Sequence, residues 1–334
     1  MTDRVRFGLV GVGAQASENL VPPLLELDGA EIRAISSREH SRAQALAARY
    51  GAAWSTNRWQ DLIAADDIDA VLVAATPVAQ AEVARACIEA GVHVFVEKPP
   101  APDLASLQAL ARLAEGRADV VTFVDYNFRF GATYRELRAA LQDLGALAAA
   151  RLRFVGSKPL APMWGQDTTE RSFLYALGIH AVEMVVDLFG PARDLQARRR
   201  RLDGGRFLLD LSIGFESGAT ACLELGNYAA RFEYRLELVT ANATVGVLDQ
   251  HRSVQLSRVR GLDSFDPWFG GKQVLAYEWP SLHGGYDLTG YRGALSAFVD
   301  AVLHGTPSAA PIPASIEVYR IIEEVLMQVG GAPA

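Results

Sequence analysis

Residues 5–16 read VRFGLVGVGAQA, an apolar run of strand length that leads at once into a glycine-rich loop. Gly11 permits a tight turn, Gly13 lets the backbone approach a pyrophosphate, and Ala16 is small enough for close helix–strand packing. A second strand pattern, Glu31–Ser36, begins about 20 residues later, where a βαβ unit needs it. The pattern predicts a dinucleotide-binding unit. The loop residues predicted to contact the cofactor are Gly11, Gly13, Ala14 and Gln15.

The tip of the second predicted strand, Ser36-Ser37-Arg38, bears on which dinucleotide is bound. A site that prefers NAD usually has Asp or Glu there to bond the ribose 2′-hydroxyl. Hydroxyl groups beside a guanidinium suit a 2′-phosphate instead, because arginine offers a planar fork of donors. The alternative is that the serines are loop residues and Arg38 merely begins the next helix, with Glu39 close by. The sequence favours NADP(H) and leaves NAD(H) open.

Strand and helix patterns alternate through the first third of the chain, which is typical of a parallel, doubly wound sheet. After Asp125 the pattern changes to successive strands joined by turns such as Gly204-Gly205, which is typical of an antiparallel sheet. The sequence therefore predicts an α/β Rossmann domain at 1–124 and an α+β domain at 125–334. The predicted strands include 69–75, 120–124, 152–155, 206–216, 220–225 and 231–240, and the predicted helices include 79–90, 104–113, 291–303 and 316–329.

The length, charge and composition of the chain argue against several classes of protein. A chain of 334 residues exceeds the usual single-domain range, and a net charge of −7 argues against nucleic-acid binding. No apolar run reaches membrane-spanning length and the opening residues do not resemble a signal peptide, so a cytoplasmic protein without a membrane partner is expected. Cys87 and Cys222 are predicted to be small buried hydrophobes, no metal site is predicted, and the arginine run 198–201 is predicted to be a solvated hairpin end.

The chain contains three lysines, and one of them follows an apolar strand pattern in Glu97-Lys98-Pro99. A strand that ends there places an ammonium group at the carboxyl edge of the sheet, where open α/β folds bind their ligands. The proline stops the strand. The alternative is an exposed lysine in a surface loop, but the upstream glycine-rich loop favours a functional lysine.

A histidine occurs in the helical pattern that ends at Gly190-Pro191. Glu183 is three residues after His180 and shares its helix face, so it could orient the imidazole. The alternative is a hydrogen-bonded core histidine.

Together these motifs resemble the glucose–fructose oxidoreductase and inositol dehydrogenase family, often called the Gfo/Idh/MocA family. The resemblance covers nearly the whole chain. The matching stretches, in family order, are the glycine-rich loop, Leu20-Val21-Pro22, Thr76-Pro77, Glu97-Lys98-Pro99, Tyr126-Asn127, Arg129-Phe130, Gly178-Ile179-His180 and 297–302.

The resemblance implies a Rossmann domain followed by a large open-faced antiparallel sheet, with NAD(P) held between the two domains. It also implies hydride transfer at a secondary alcohol or ketone. Lys98 would bridge the nicotinamide ribose and the substrate hydroxyl, and His180 would be the acid–base. The cofactor contacts expected besides those in the loop are Ser36, Ser37, Arg38, Thr76, Pro77, Glu97 and Lys98, and the expected substrate contacts are Asn127, Arg129, Trp164 and Tyr175.

The chain departs from the family at several positions. The family commonly has Asp four residues before the histidine, where this chain has Ala176, and the family's Thr-Pro-Asn becomes Thr76-Pro77-Val78. Trp164 is read either as a wall of the substrate site or as a core aromatic. Tyr175 could contribute to catalysis, although it falls off the helix face of His180.

The expected function is that of an NADP-preferring oxidoreductase acting on a sugar, nucleotide-sugar or polyol-like substrate. The alternatives are a catalytically reduced regulatory or structural paralogue, marked by Ala176, and a reductase of an imine or other non-sugar substrate. A homodimer or homotetramer is expected. The apolar side of one strand, formed by Phe207, Leu209, Leu211 and Ile213, must be covered by helices of its own domain or by a partner subunit.

Overall fold

The computed structural model describes residues 4–142, 145–259, 272–278 and 285–330. The chain divides into two compact units, one made of Met1–Phe130 and Gly290–Tyr319 and the other of Gly131–Thr289 and Arg320–Ala334. In these described ranges each unit contains one β-sheet.

The strands of the first unit are β1 (Val5–Val10), β2 (Ala30–Ser36), β3 (Trp54–Thr56), β4 (Ala70–Val73), β5 (His93–Glu97) and β6 (Thr122–Asp125). The strands of the second unit are β7 (Leu147–Val155), β8 (Ala192–Leu202), β9 (Arg206–Phe215), β10 (Thr220–Gly226), β11 (Glu233–Thr240), β12 (Thr244–Asp249), β13 (Ser253–Val259) and β14 (Lys272–Glu278).

The α-helices are α1 (Val21–Leu25), α2 (His40–Tyr50), α3 (Trp59–Ile63), α4 (Pro77–Ala90), α5 (Leu104–Glu115), α6 (Ala132–Gln142), α7 (Thr169–Phe173), α8 (Ile179–Phe189), α9 (Gly285–Thr289), α10 (Tyr291–His304) and α11 (Ser315–Gly330). Two π-helical turns, Ala16–Leu20 and Leu174–Gly178, lead directly into α1 and α8. Short 3₁₀ turns cover Asn127–Phe130, Asp203–Gly205 and Ile312–Ala314.

The sheet of the first unit has the order β3-β2-β1-β4-β5-β6, and all its neighbouring strands are parallel. The order reverses direction between β1 and β4, so the glycine-rich loop after β1 lies at the switch point where doubly wound sheets bind dinucleotides. The predicted Rossmann domain is confirmed.

Helix α10 packs on the first unit's sheet through an aromatic cluster. The Phe298 ring centroid lies 5.8 Å from that of Phe7, 5.6 Å from Phe95 and 6.0 Å from Phe123. Residues 290–319 therefore belong to the first unit, which differs from the predicted limits of 1–124 and 125–334. The apolar face of α10 is evident in the sequence, but periodicity does not indicate which sheet a distant helix covers.

The sheet of the second unit has the order β14-β13-β12-β11-β7-β10-β9-β8. Its neighbouring strands are antiparallel apart from β7 and β10, which are parallel. The predicted antiparallel sheet is thus confirmed as a mostly antiparallel one. The exception arises because β10, after its hairpin with β9, pairs with β7. The helices α7 and α8 separate β7 from β8 in the chain, so β7 and β10 are not joined by a hairpin.

The apolar side of β9 is buried within this chain, since Phe207, Leu209, Leu211 and Ile213 are at most 3% exposed. The ring of Phe207 meets that of Phe173 in α7 at 5.4 Å between centroids. Of the two predicted ways of covering this side, helices of the same unit therefore account for it.

The opposite face of this sheet is polar. A concavity of about 570 Å³ opens on it, lined in part by Arg151, Asp210, Glu224 and Glu237. Arg151 forms an ion pair with Glu237 at 2.8 Å across β7 and β11. The open face is thus a surface of paired charges.

One sequence expectation is met and two need correction. The four arginines at 198–201 lie in the last residues of β8, beside the turn at Asp203–Gly205 that leads into the antiparallel β9, so they stand at a hairpin end, and Arg198, Arg200 and Arg201 are exposed. Cys222 is exposed, whereas Cys87 is buried as expected. The other correction concerns the expectation that no apolar run reaches membrane-spanning length. Thr169–Phe189 is a helical run of 21 residues with a mean hydropathy of 1.5, which is long and apolar enough to cross a membrane. Because 72% of its most apolar window is buried inside the protein, it has the character of a core helix.

Candidate functional site

The glycine-rich loop has the geometry that its sequence predicted. Gly11 has φ +78°, and a Cβ there would lie 2.4 Å from the carbonyl oxygen of Ala74, so only glycine fits. A Cβ on Gly13 would meet nothing within 4 Å, which leaves open space in front of the loop for a ligand. The Gly13 N–H donates to the Gly11 carbonyl at 2.8 Å and closes the turn. These features fit the pyrophosphate of a dinucleotide.

Gln15 links the glycine-rich loop to the end of β5. Its Nε2 donates to Glu97 Oε1 at 2.5 Å and to the hydroxyl of Tyr291 at 3.0 Å. Its Oε1 accepts a hydrogen bond from Asn19 at 3.0 Å. Gln15 is therefore engaged within the protein, while the neighbouring Ala14 is exposed.

The side chains at the tip of β2 become more exposed along the chain. Ser36 is buried, Ser37 is half-buried and Arg38 is exposed. The N–H of Ser37 donates to the Thr56 carbonyl at 3.2 Å, which fixes the chain where it leaves the sheet. Arg38 is thus the predicted selector residue that is most open to a ligand.

Arg42 is a residue at this site that the sequence reasoning missed. Its Nη2 in α2 donates to the carbonyl of Val12 in the glycine-rich loop at 2.9 Å. The guanidinium of Arg42 therefore lies against the loop that would hold the dinucleotide. The only available signal was its position in the first turn of the helix after Arg38.

Gln80 holds the Glu97-Lys98-Pro99 corner. This α4 side chain is 1% exposed, and its Nε2 donates at 2.8 Å to the carbonyls of both Glu97 and Pro99. Its Oε1 accepts from the Ala75 N–H at 3.2 Å. The backbone on both sides of Lys98 is therefore fixed by one buried amide, which the sequence reasoning also missed.

Two buried carboxyl groups lie beside this corner. Glu97 and Asp125 are paired residues at the ends of β5 and β6, and they are 4% and 0% exposed. Burial raises the pKa of both groups, and the charge of Glu97 raises that of Asp125 further. The positive charge of Lys98 acts in the opposite direction on both pKa values.

The other predicted residues of the first unit lie near the ends of β4 and β6. Thr76 is exposed and precedes α4, whose first residue is the buried Pro77. Asn127 is 1% exposed, and Arg129 donates from Nη2 to the Ala309 carbonyl. Asn127 and Arg129 are therefore packed into their own unit.

His180 and Glu183 lie in α8 of the second unit, 3% and 4% exposed. The imidazole centroid of His180 lies 6.2 Å from the Phe154 ring. Ala176, in the position where the family commonly has Asp, is half-buried in the π-helical turn before α8.

The structure gives Tyr175 and Trp164 different settings. Tyr175 is 0% exposed, and its hydroxyl donates to Glu323 Oε1 at 2.6 Å, in a network that Arg171 joins through a second bond of 2.6 Å to the same oxygen. This is the setting of a core residue, so the geometry does not support substrate contact by Tyr175. Trp164 is half-buried in a loop with φ +56°, next to the exposed Met163.

Comparison with known proteins agrees with this geometry. The family model described as "Oxidoreductase family, NAD-binding Rossmann fold" matches residues 5–126. A solved dehydrogenase from Chromobacterium violaceum is similar with a TM-score of 0.91 and 30% identity, covering 98% of this chain and 96% of that one. An inositol 2-dehydrogenase from Corynebacterium glutamicum (strain R) is 26% identical over 320 residues, which is 93% of this chain and 89% of the relative.

An uncharacterized oxidoreductase from Rhizobium meliloti is 38% identical over 108 residues, and the match spans 32% of its length. The fold, the loop and these likenesses define an NAD(P)-dependent oxidoreductase with an NAD-binding Rossmann domain. The chain belongs to the Gfo/Idh/MocA family, as the sequence motifs implied.

Proposed function

We propose that this protein is a cytoplasmic, NADP-preferring oxidoreductase that acts on a secondary alcohol or ketone of a sugar, nucleotide-sugar or polyol-like substrate. The observation that carries the proposal is the fixed corner at Lys98, held by Gln80 at the carboxyl edge of a dinucleotide-binding sheet. A polyol-like substrate is supported by the full-length likeness to an inositol 2-dehydrogenase.

The residues that would hold the dinucleotide fit that role. Gly11 permits the tight turn, Gly13 leaves open space for the pyrophosphate, and the exposed Arg38 and the loop-bound Arg42 offer two guanidinium groups. Two guanidinium groups suit a 2′-phosphate better than a bare hydroxyl. When bound, the cofactor supplies or accepts the hydride.

The proposed chemistry of the chain itself is electrostatic and acid–base. The ammonium of Lys98 stabilises the negative charge that develops on the substrate oxygen during reduction, or on the hydroxyl oxygen during oxidation. Lys98 or His180 transfers the proton to or from that oxygen. Lys98 is half-buried, and its backbone is fixed on both sides, so the point from which its side chain leaves the sheet edge is set before the reaction.

The test is a comparison of matched lysine variants. Nicotinamide reduction or oxidation is followed by absorbance with NADP(H), NAD(H) and a panel of polyols, sugars and nucleotide sugars. Lys98→Met is expected to lower kcat about a hundredfold or more with the cofactor still bound. Lys158→Met, at an exposed position, is the control and should keep parental turnover. Parental turnover in Lys98→Met would reject the role of Lys98.

Ala176 supports a second candidate, a dinucleotide-binding paralogue with reduced turnover. A carboxylate at this position could assist the histidine four residues later, and alanine cannot. The two candidates are separated by turnover itself. If NADPH binds but no sugar, polyol, ketone or imine substrate reacts, the paralogue is the better assignment.

A further inference from the structure

Asp125 is a fully buried carboxyl group that the proposed chemistry does not use. It ends β6 directly opposite Glu97 of β5, and the two side chains are 0% and 4% exposed. A buried carboxylate normally receives several donors, because burial without them is costly. The number of hydrogen-bond donors around Glu97 and Asp125 therefore indicates how many negative charges the two carboxyls can carry together.

Glu97 has a donor, since Gln15 Nε2 lies 2.5 Å from its Oε1. Asp125 differs, because neither of its oxygens has an N–H or O–H donor within hydrogen-bond distance among the residues that the structure describes. The group that faces it across the β5–β6 register is the carboxyl of Glu97. Two ionised carboxylates repel each other, whereas one added proton turns the same contact into a hydrogen bond.

Within the described part of the chain, two further titratable side chains interact with the pair, Lys98 and Tyr291. Lys98, next to Glu97, contributes a positive charge that favours ionisation, and Tyr291 of α10 contributes a neutral hydroxyl that is bonded to Gln15. The electric field of the two carboxyls raises the pKa of Tyr291, after the larger effect of burial, so this hydroxyl stays protonated. One positive charge thus faces two buried carboxyls.

We propose that Glu97 and Asp125 hold one proton between them and present a single negative charge to Lys98, with Asp125 as the positioning residue that sets this charge. The pair and the ammonium of Lys98 then form a neutral set. Any effect of these three groups on catalysis rests on the proposed function of Lys98. The shared proton itself does not, and it is measurable without any substrate.

The shared proton predicts how stability varies with pH. Above about pH 5 an unfolded chain has ionised carboxyls, so the folded protein binds one proton more. Its folding equilibrium constant should fall about tenfold per pH unit relative to a variant without this proton, until the pair finally loses it. Asp125→Asn is that variant, because the amide brings its own hydrogens.

The experiment is urea unfolding of the parent and Asp125→Asn from about pH 6 to 8. The ratio of the parent's folding constant to that of the variant should fall about tenfold per unit. Asp69→Asn is the matched control. Burial opposes ionisation of Asp69, but hydrogen bonds from Arg6 outweigh it and hold its pKa below the usual value, so this stability is lost only in acid. The Asp69→Asn ratio should therefore be flat over this range.

Two further measurements complete the test. Lys98→Met removes the positive charge that faces the carboxyls. Glu97 and Asp125 in this variant should therefore keep their shared proton to a higher pH than in the parent protein. Infrared spectra of the parent at neutral pH should contain the carbonyl stretch of a protonated carboxyl, which also covers the case in which Asp125→Asn fails to fold. Parallel stability curves for the parent and Asp125→Asn, or no protonated carboxyl band in the parent, would overturn the proposal. An unchanged titration in Lys98→Met would reject the coupling to Lys98.

Discussion

Replacing Gln80 by leucine should destabilise the protein and disturb the corner at Lys98. The side chain is almost fully buried and forms three hydrogen bonds, two to the carbonyls of Glu97 and Pro99 at 2.8 Å and one from the Ala75 N–H at 3.2 Å. Leucine has a similar volume, so no large cavity is created. The loss is that of three bonds to backbone groups that stay buried, at about 1 kcal/mol each.

The expected loss of unfolding free energy is therefore about 3 kcal/mol. Urea unfolding measures it as a lower midpoint with an unchanged slope, which indicates that stability changed and the unfolded state did not. Gln44→Leu, at an exposed position of α2, is the control and should change stability by less than about 0.5 kcal/mol. A loss of less than 0.5 kcal/mol in Gln80→Leu as well would refute the reasoning, since roughly that much is expected at any surface site.

The remaining predictions concern the cofactor, Tyr175 and assembly. NADPH should bind at least about tenfold tighter than NADH in a fluorescence titration, and Arg38→Ala should remove most of that gap while leaving NADH affinity nearly unchanged. Equal affinities in the parent would contradict the 2′-phosphate site. Tyr175→Phe should cost about 1 kcal/mol of stability, since it loses the bond to Glu323, and should keep parental kcat; a large fall in kcat would restore Tyr175 to the active site. Because helices of the same unit cover the apolar side of β9, a homodimer or homotetramer would have to form through another surface. Light scattering at micromolar concentration should detect such an oligomer, and a monomer would exclude both.

The parts of the fold that depend on local pattern were accessible from the sequence. The loop at Gly11 and Gly13, the strand that ends at Glu97 and the helix that carries His180 are all encoded by neighbouring residues. A glycine that must adopt a positive φ against a facing carbonyl leaves a direct mark in the sequence. The parallel sheet of the first unit was also predictable, because the alternation of strand and helix patterns along the chain is typical of such a sheet.

The parts that depend on distant contacts were not accessible. Arg42 reaches a carbonyl 30 residues earlier, and Gln80 bonds to carbonyls 17 and 19 residues later. In the sequence each is an ordinary polar residue of a helix. The Glu97–Asp125 pair likewise exists only because β5 and β6 are adjacent and in register. Exact strand pairing, unlike strand existence, is a property of the assembled sheet.

The return of residues 290–319 to the first unit has a consequence for synthesis on the ribosome. Domains usually fold as their residues emerge, starting with the N-terminal one. Here the aromatic cluster of Phe7, Phe95 and Phe123 stays without Phe298 until residues 131–289, most of the second unit, have been translated. The nascent first unit therefore exposes part of its core while some 160 further residues are made. A fragment that stops at Phe130 should bind chaperones and aggregate, and adding residues 290–319 as a separate peptide should partly relieve this.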